Sequence, residues 1–156
     1  MLTLRSAERS DQRELEALQL RASIVWEEYR DLVLGNPDVI ELPLVQILDG
    51  SVCVAERDGK ILGFSVVLCR DDGDAELDGL FVDPVAWRNG IGTSLVREAE
   101  RVSALDGANA LHVIANPRAE GFYLACGFAF VGEAQTRFGT ARTMVKAIVP
   151  APETGG

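Results

Sequence analysis

The stretch LFVDPVAWRNGIGTSLVREAE, residues 80–100, constrains this chain more than any other. An apolar run stops at Asp83-Pro84, a glycine pair follows at Gly90 and Gly92, and Leu95, Val96, Ala99 and Val102 then share one face of a helix predicted from Gly92 to about Leu105. A strand that hands over to an amphipathic helix belongs in a sheet with helices packed on it. The start of such a helix carries about four unpaired N–H groups and roughly half a positive charge. Small residues let those donors approach an anion closely. Gly90 and Gly92 allow that approach, Thr93 and Ser94 add hydroxyls, and Arg88 adds charge, so the loop suits a phosphate or pyrophosphate. The phosphate-loop pattern would require lysine where Thr93 stands, and the dinucleotide fingerprint a small residue at Leu95. Neither fits. Read alone, the glycines also suit a capped turn with no ligand.

The rest of the chain supplies the sheet. Leu2 to Arg5 reads as a first strand, and apolar residues from Asp11 to about Leu34 recur at helical spacing, with Ser10 or Asp11 as the cap. Gly35-Asn36-Pro37 breaks that pattern, and a short second helix is expected over Asp38 to Leu48 despite Pro43. Val52 and Val54 mark a strand, Asp58-Gly59 a hairpin turn, Ile61 to Cys69 the return strand, and Ala75 to Val82 a third consecutive antiparallel strand. Leu111 to Ala115 is a short strand, Ala119 to Cys126 a helix closed by Gly127, and Phe128 to Ala134 with Ala141 to Val149 a final pair of strands. The expected class is α/β (α+β): a mixed, mostly antiparallel sheet of about six to seven strands with helices on both faces.

At 156 residues and 47% apolar content, the chain suits one soluble domain over residues 1–150, with a disordered tail at 151–156. No apolar run nears the roughly 20 residues that span a bilayer, and the N-terminus lacks a signal-peptide pattern, so the expectation is a cytoplasmic protein with no membrane partner. Its 24 acidic and 15 basic residues give a net charge of −9, which would repel nucleic acid. A negative field suits a cationic substrate, and the cluster Asp71, Asp72, Asp74, Glu76, Asp78 would concentrate it. Cys53, Cys69 and Cys126 have no paired spacing and only His112 accompanies them, so no metal site is expected and the thiols are read as buried.

A second segment adds to the loop. NPRAEGFYLACGF, residues 116–128, starts where a strand ends; Asn116 offers an amide donor and acceptor, and Tyr123 lies two helical turns further on. Together the two segments resemble the GNAT-type N-acetyltransferases, which bind acetyl-coenzyme A. That family carries an apolar strand end, a Gln/Arg-x-x-Gly-x-Gly/Ala loop and a helix, then Asn-x-x-Ala-x-x-Phe-Tyr-x-x-x-Gly-Phe downstream. The second pattern is met at Asn116, Ala119, Phe122, Tyr123, Gly127 and Phe128. The first is met at Gly90 and Gly92, whereas Trp87 takes the Gln/Arg place and Arg88 follows it.

The resemblance implies a sheet splayed in the middle, with the pantetheine arm of acetyl-CoA on backbone groups of Leu80, Phe81 and Val82. It implies the pyrophosphate on Arg88, Asn89, Gly90, Ile91, Gly92 and Thr93, and Asn116 on the pantetheine or a water beside it. An amine would attack the thioester directly. A lysine-like amine has a pKa of about 10.4, so roughly one molecule in a thousand is uncharged near neutrality and a base is useful. Glu76 shares a strand face with Asp78, Leu80 and Val82, and family members often place a glutamate at its position. Glu76 is therefore the first candidate and Asp78 the second; two solvated acids on an edge strand is the alternative. Tyr123 would return a proton to the departing thiolate, and a backbone N–H within Leu80 to Val82 would meet the oxyanion. His112, Trp26, Tyr29, Arg137 and Phe138 mark the region where the acceptor would be chosen. The acceptor would be a small-molecule or protein amine, and a homodimer is a common family state. An acyl-CoA-binding regulatory module without turnover is the competing function, suggested by Trp87.

Overall fold

The computed structural model describes residues 1–149; the tail expected at 151–156 lies outside the described residues. Its strands are β1 (Leu2–Ser6), β2 (Val52–Arg57), β3 (Lys60–Cys69), β4 (Ala75–Val82), β5 (Ala110–Ala115), β6 (Ala129–Thr136) and β7 (Gly139–Ala147). The helices are α1 (Gln12–Ile24), α2 (Glu27–Leu34), α3 (Leu44–Leu48), α4 (Ile91–Leu105) and α5 (Glu120–Ala125). The seven strands follow the order β1-β2-β3-β4-β5-β7-β6. Pairing is antiparallel for β1–β2, β2–β3, β5–β7 and β6–β7, and parallel for β4–β5. The mixed, mostly antiparallel sheet expected from the sequence is present. Two compact units are distinguished, one made of Met1–Val66 with Gly79–Leu95, the other of Val67–Asp78 with the chain from Val96 onward.

In the first unit, Leu15, Leu18 and Ala22 of α1 are buried, at the spacing that keeps them on one helix face. The other side of α1 works through hydrogen bonds. Gln12 Nε2 donates to Leu42 O (2.8 Å), Gln19 Nε2 donates to Val39 O (3.0 Å), and Leu42 N donates to Glu16 Oε2 (2.8 Å). Helix side chains thus satisfy the backbone of a segment that has no ladder of its own. Below the chain's start, Asp11 accepts from Glu8 N (2.7 Å) and from Arg5 Nη1 (2.8 Å). The Arg5 hydrogen bonds hold its carboxyl below the usual aspartate range.

Two helix expectations are corrected here. The single helix over Asp11 to Leu34 is two, because Trp26 takes an extended backbone (φ −84°, ψ 110°) and its ring stacks on Trp87 at 5.5 Å between centroids. Local periodicity cannot see a partner that lies so far along the chain. The helix over Asp38 to Leu48 is a 3₁₀ turn at Pro37–Ile40 followed by α3, with Pro43 at its N-cap (φ −59°, ψ 128°). Proline has no N–H to place in a ladder and disfavours helix before it, so it starts a helix more readily than it continues one.

Core packing in the first unit centres on Ala55, Leu62, Ala86, Ile91 and Leu95, with Leu2, Leu4, Leu80 and Val82 against them. Gly63 sets how closely these parts approach. A Cβ there would lie 2.9 Å from Phe81 O, 3.2 Å from Ile91 Cγ2 and 3.3 Å from Leu95 Cδ1.

In the second unit, Ala75, Glu76 and Leu77 of β4 pair with Leu111, His112 and Val113 of β5. The β6–β7 hairpin turns tightly at Arg137-Phe138, with Thr136 paired to Gly139. Lys146 on β7 reaches Glu100 Oε1 of α4 (2.7 Å) and donates to Cys126 O after α5 (2.7 Å). One ammonium therefore ties three elements. Among the described residues the cysteines form no disulfide, and burial is only partly as expected: Cys53 and Cys126 are half-buried and Cys69, at the end of β3, is exposed. Burial falls off over Val67, Leu68 and Cys69, so the last residue of β3 is open to solvent.

The close approach at Gly63 gives a direct prediction. Gly63→Ala, with a backbone carbonyl as the obstacle, should cost about 1–3 kcal/mol of stability. Thermal or urea unfolding checks this; an unchanged midpoint would show that β4 and α4 can yield without cost.

Candidate functional site: an anion loop and a tyrosine helix

The loop between β4 and α4 is built around Asp83. This residue is 4% exposed, its N–H donates to Leu62 O (2.8 Å), and its carboxylate accepts from Val85 N (3.2 Å) and Arg21 Nη2 (2.9 Å). An aspartate before proline that caps the amide two residues on is an Asx turn, which ends the strand and starts the 3₁₀ turn Pro84–Ala86. Trp87 follows, and its Nε1–H donates to Val82 O at 2.8 Å.

Beyond Trp87 the backbone becomes left-handed at Arg88 (φ 69°) and again at Gly90 (φ 76°). Positive φ is routine for glycine and costs a branched-off side chain such as arginine roughly 1 kcal/mol. Arg88, Asn89 and Gly90 are exposed, whereas Ile91 is buried and anchors the helix start. The helix begins at Ile91, one residue before the expected Gly92. Ser94 N–H is the first to enter the ladder, on Gly90 O (3.0 Å), so the amides of Ile91, Gly92 and Thr93 precede it. The predicted anion-binding residues 88–93 are thus contiguous, led by an exposed cation and followed by a helix N-terminus.

On β4, the predicted parity holds. Ala75, Leu77 and Gly79 are buried, while Glu76 and Leu80 are half-buried and Asp78 is exposed. Desolvation pushes the Asp78 carboxyl up from its ordinary value. Exposure combined with desolvation describes a carboxylate flanked by protein but still open to water. The acidic cluster is partly committed: Asp72 pairs with Arg70 (3.1 Å) and Asp74 with His112 Nε2 (3.0 Å). Asp74 also accepts from Asn109 N (3.2 Å). His112 therefore has a structural partner. Asp72, Asp74 and His112 bring possible ligand atoms within 4.8 Å of one another, with Asp72 on Arg70 and Asp74 on the His112 ring.

Asn116 Oδ1 accepts from Arg118 N (2.7 Å), capping the 3₁₀ turn Pro117–Ala119. Its Nδ2 is the group it can offer a ligand. From there the chain enters α5, whose end explains the Tyr-x-x-x-Gly-Phe spacing. Gly127 N donates to Leu124 O (3.0 Å) and Phe128 N to Tyr123 O (3.0 Å), with Gly127 at φ 95°. These bonds make a Schellman motif. The Phe128 ring meets the Tyr123 ring edge-on at 5.3 Å, and Phe122 meets it at 5.1 Å. Tyr123 is thereby clamped and 6% exposed. Burial, with the nearby Cys126 adding to it, pushes its phenol well above the usual tyrosine value. Among the described residues, Glu76, Asp78 and Tyr123 form no hydrogen bond or ion pair with one another.

The family model described as the acetyltransferase (GNAT) family matches residues 14–128, which span both segments. The chain belongs to this family. Comparison with curated protein sequences finds no significant match. Among solved structures, a GCN5-related N-acetyltransferase from Rhodopseudomonas palustris is similar at 20% identity, covering 94% of this chain and 95% of that one, with a TM-score of 0.78. The PaiA N-acetyltransferase from Thermoplasma acidophilum, solved with coenzyme A, is 21% identical over 94% and 99% of the two chains, at a TM-score of 0.76. The ribosomal-protein-S18-alanine N-acetyltransferase from Escherichia coli is 19% identical over 100% and 99%, at 0.68. At these identities the likeness is one of fold. It accounts for the strand order around a GNAT sheet, and among the described residues no helix is long and apolar enough to cross a membrane.

The turn at Asp83 is legible in the sequence, since Asp-Pro after an apolar strand is a turn signal. Two supports of the GNAT loop are not: the Trp26–Trp87 stack and the Arg21–Asp83 pair, because nothing local links residues so far apart.

The raised Asp78 pKa predicts a pH effect. A group whose folded pKa exceeds its unfolded value, about 3.9, contributes stability below that pH and loses it as pH rises through the folded value. Asp78→Asn should therefore raise the melting temperature at neutral pH and not near pH 3. Melting curves at both pH values check this; an equal shift at both would assign the effect to something other than charge.

Proposed function

We propose that the protein is an acetyl-CoA-dependent N-acetyltransferase that transfers the acetyl group to a primary amine by direct attack. The observation that carries this reading is the β4–α4 loop: an exposed Arg88-Asn89-Gly90, left-handed at Arg88 and Gly90, leading into a helix whose first amides precede the ladder. It supports a diphosphate on residues 88–93. The pairs of β4 with β5 run from Ala75 to Leu77 and the strand continues to Val82, which supports Leu80, Phe81 and Val82 as backbone partners of the pantetheine amides. Asn116 would donate through Nδ2. No metal is needed for this chemistry.

In the reaction the amine nitrogen attacks the thioester carbonyl carbon, and the C–S bond breaks as the tetrahedral intermediate collapses. The proton lost by nitrogen goes to Glu76, or to Asp78, whose carboxyl is pushed up by desolvation, directly or through one water. A backbone N–H from Leu80 to Val82 would stabilise the oxyanion. The leaving thiolate takes a proton from Tyr123, whose phenol, like any tyrosine, is protonated throughout the neutral range. The acceptor is a small-molecule or protein amine in the cytoplasm. With Asp72 and Asp74 committed to Arg70 and His112, attraction of its ammonium falls to Asp71, Glu76 and Asp78.

The test is thiol release from acetyl-CoA over a panel of amines, alongside calorimetry with coenzyme A. Acetylation of at least one amine supports the reading; tight cofactor binding with every amine untouched would instead favour a regulatory acyl-CoA module. Tyr123→Phe should lower kcat by about 100-fold while leaving cofactor affinity in place. Glu76→Gln should slow turnover most at the acid end of the profile, where the amine is hardest to deprotonate. An unaltered pH–rate profile would transfer the base role to Asp78 or to water.

A further inference from the structure

The Gln/Arg place of the family's loop pattern holds Trp87, and its surroundings show what it does there. Its indole N–H is bound to Val82 O, so it contributes no donor to an anion at the loop. Its ring lies against Trp26 in a near-parallel stack, at 5.5 Å and 24° between planes. Trp26 is the residue at which the first helix breaks into α1 and α2. One turn earlier on α1, Arg21 reaches the buried Asp83 that starts the same loop. Both ends of the segment 83–87 are therefore fastened to one helix junction, by an ion pair at Asp83 and by a ring stack at Trp87.

We propose that Trp26 is a positioning residue for the cofactor loop. By holding Trp87 it fixes the backbone from which the left-handed Arg88 departs, so that the loop is preset for a diphosphate without the side chain that usually binds one. Preorganisation of this kind shows as affinity, because a loop already in its bound shape gives up less freedom on binding. The inference rests on the cofactor reading above.

The chain has two tryptophans, and they are the stacked pair, so fluorescence excited selectively at tryptophan reports on this junction. Coenzyme A, without acceptor, is titrated into the wild-type protein, Trp26→Ala and Trp26→Phe. The expected results are a change in tryptophan emission as the wild type saturates, a roughly 3–10-fold weaker Kd for Trp26→Ala, and recovery of most of that affinity in Trp26→Phe, which restores a ring to the stack. Thermal melts identify any variant that fails to fold, and Trp26→Phe then stands for the site. Equal affinity in the wild type and Trp26→Ala, or a Trp26→Phe variant no better than Trp26→Ala, would overturn the proposal. Failure of the wild type itself to bind coenzyme A would overturn the cofactor reading instead.

Discussion

A carboxylate in the interior is costly unless its lone pairs are met, and Asp83 has that problem at the end of β4. Its solution organises the first unit. Val85 N–H and the Arg21 guanidinium meet the side chain, and Asp83 N–H meets Leu62 O. The strand must end there, the chain must turn, and α1 must lie where Arg21 can reach. Leaving such a buried acceptor unpaired costs about 1–3 kcal/mol, comparable with burying one large apolar side chain. The loop that follows can then remain exposed without being loose, since both of its sides are fastened: Asp83 and Trp87 before it, and buried Ile91 and Leu95 after it.

The same logic explains how the second unit holds Tyr123. A six-residue helix is too short to be stable by propensity, so α5 depends on what closes it. Gly127 in a left-handed backbone lets Phe128 turn back on Tyr123, and Lys146 covers the exposed carbonyl of Cys126 while paired with Glu100. A Cβ at Gly127 would meet Lys146 Cε at 3.1 Å. Glycine is needed there twice, once for φ and once for space. The spacing of tyrosine, glycine and phenylalanine is thus a capping rule with an aromatic contact built in, and it delivers a buried phenol as a by-product of ending a helix.

How much of this could be read from the sequence follows from how far each determinant reaches. Ala75 to Val82 was bounded correctly because its turn residues and its alternation are local, and the α4 face around Leu95, Val96 and Ala99 was found for the same reason. The breaks at Trp26 and Pro43 were missed or misplaced. Trp26 leaves the helix for a partner far along the chain, and proline was weighed as a tolerated interior residue when it was a cap. Cys69 is expected inside because cysteine usually is, whereas it is the last residue of β3, where burial has fallen off. Of the candidate site, the loop 88–93 and the Asn116 to Phe128 segment were legible as motifs. Their supports, the Arg21–Asp83 pair and the ring stack, were not.

These supports bear on why the loop can depart from its family pattern at Trp87. A charged side chain in that place adds attraction to a diphosphate but brings long, mobile atoms that must be ordered on binding. A tryptophan with its N–H already committed adds no attraction and almost no disorder. Arg88, the next residue, restores the charge, and it does so from a left-handed backbone that an unsupported loop would have little reason to keep. Here Arg88 supplies the charge and Trp87 the rigidity, a division between two neighbours. The division is stable only while Trp87 is held, which makes the α1–α2 junction part of the anion loop's design although it carries no donor of its own.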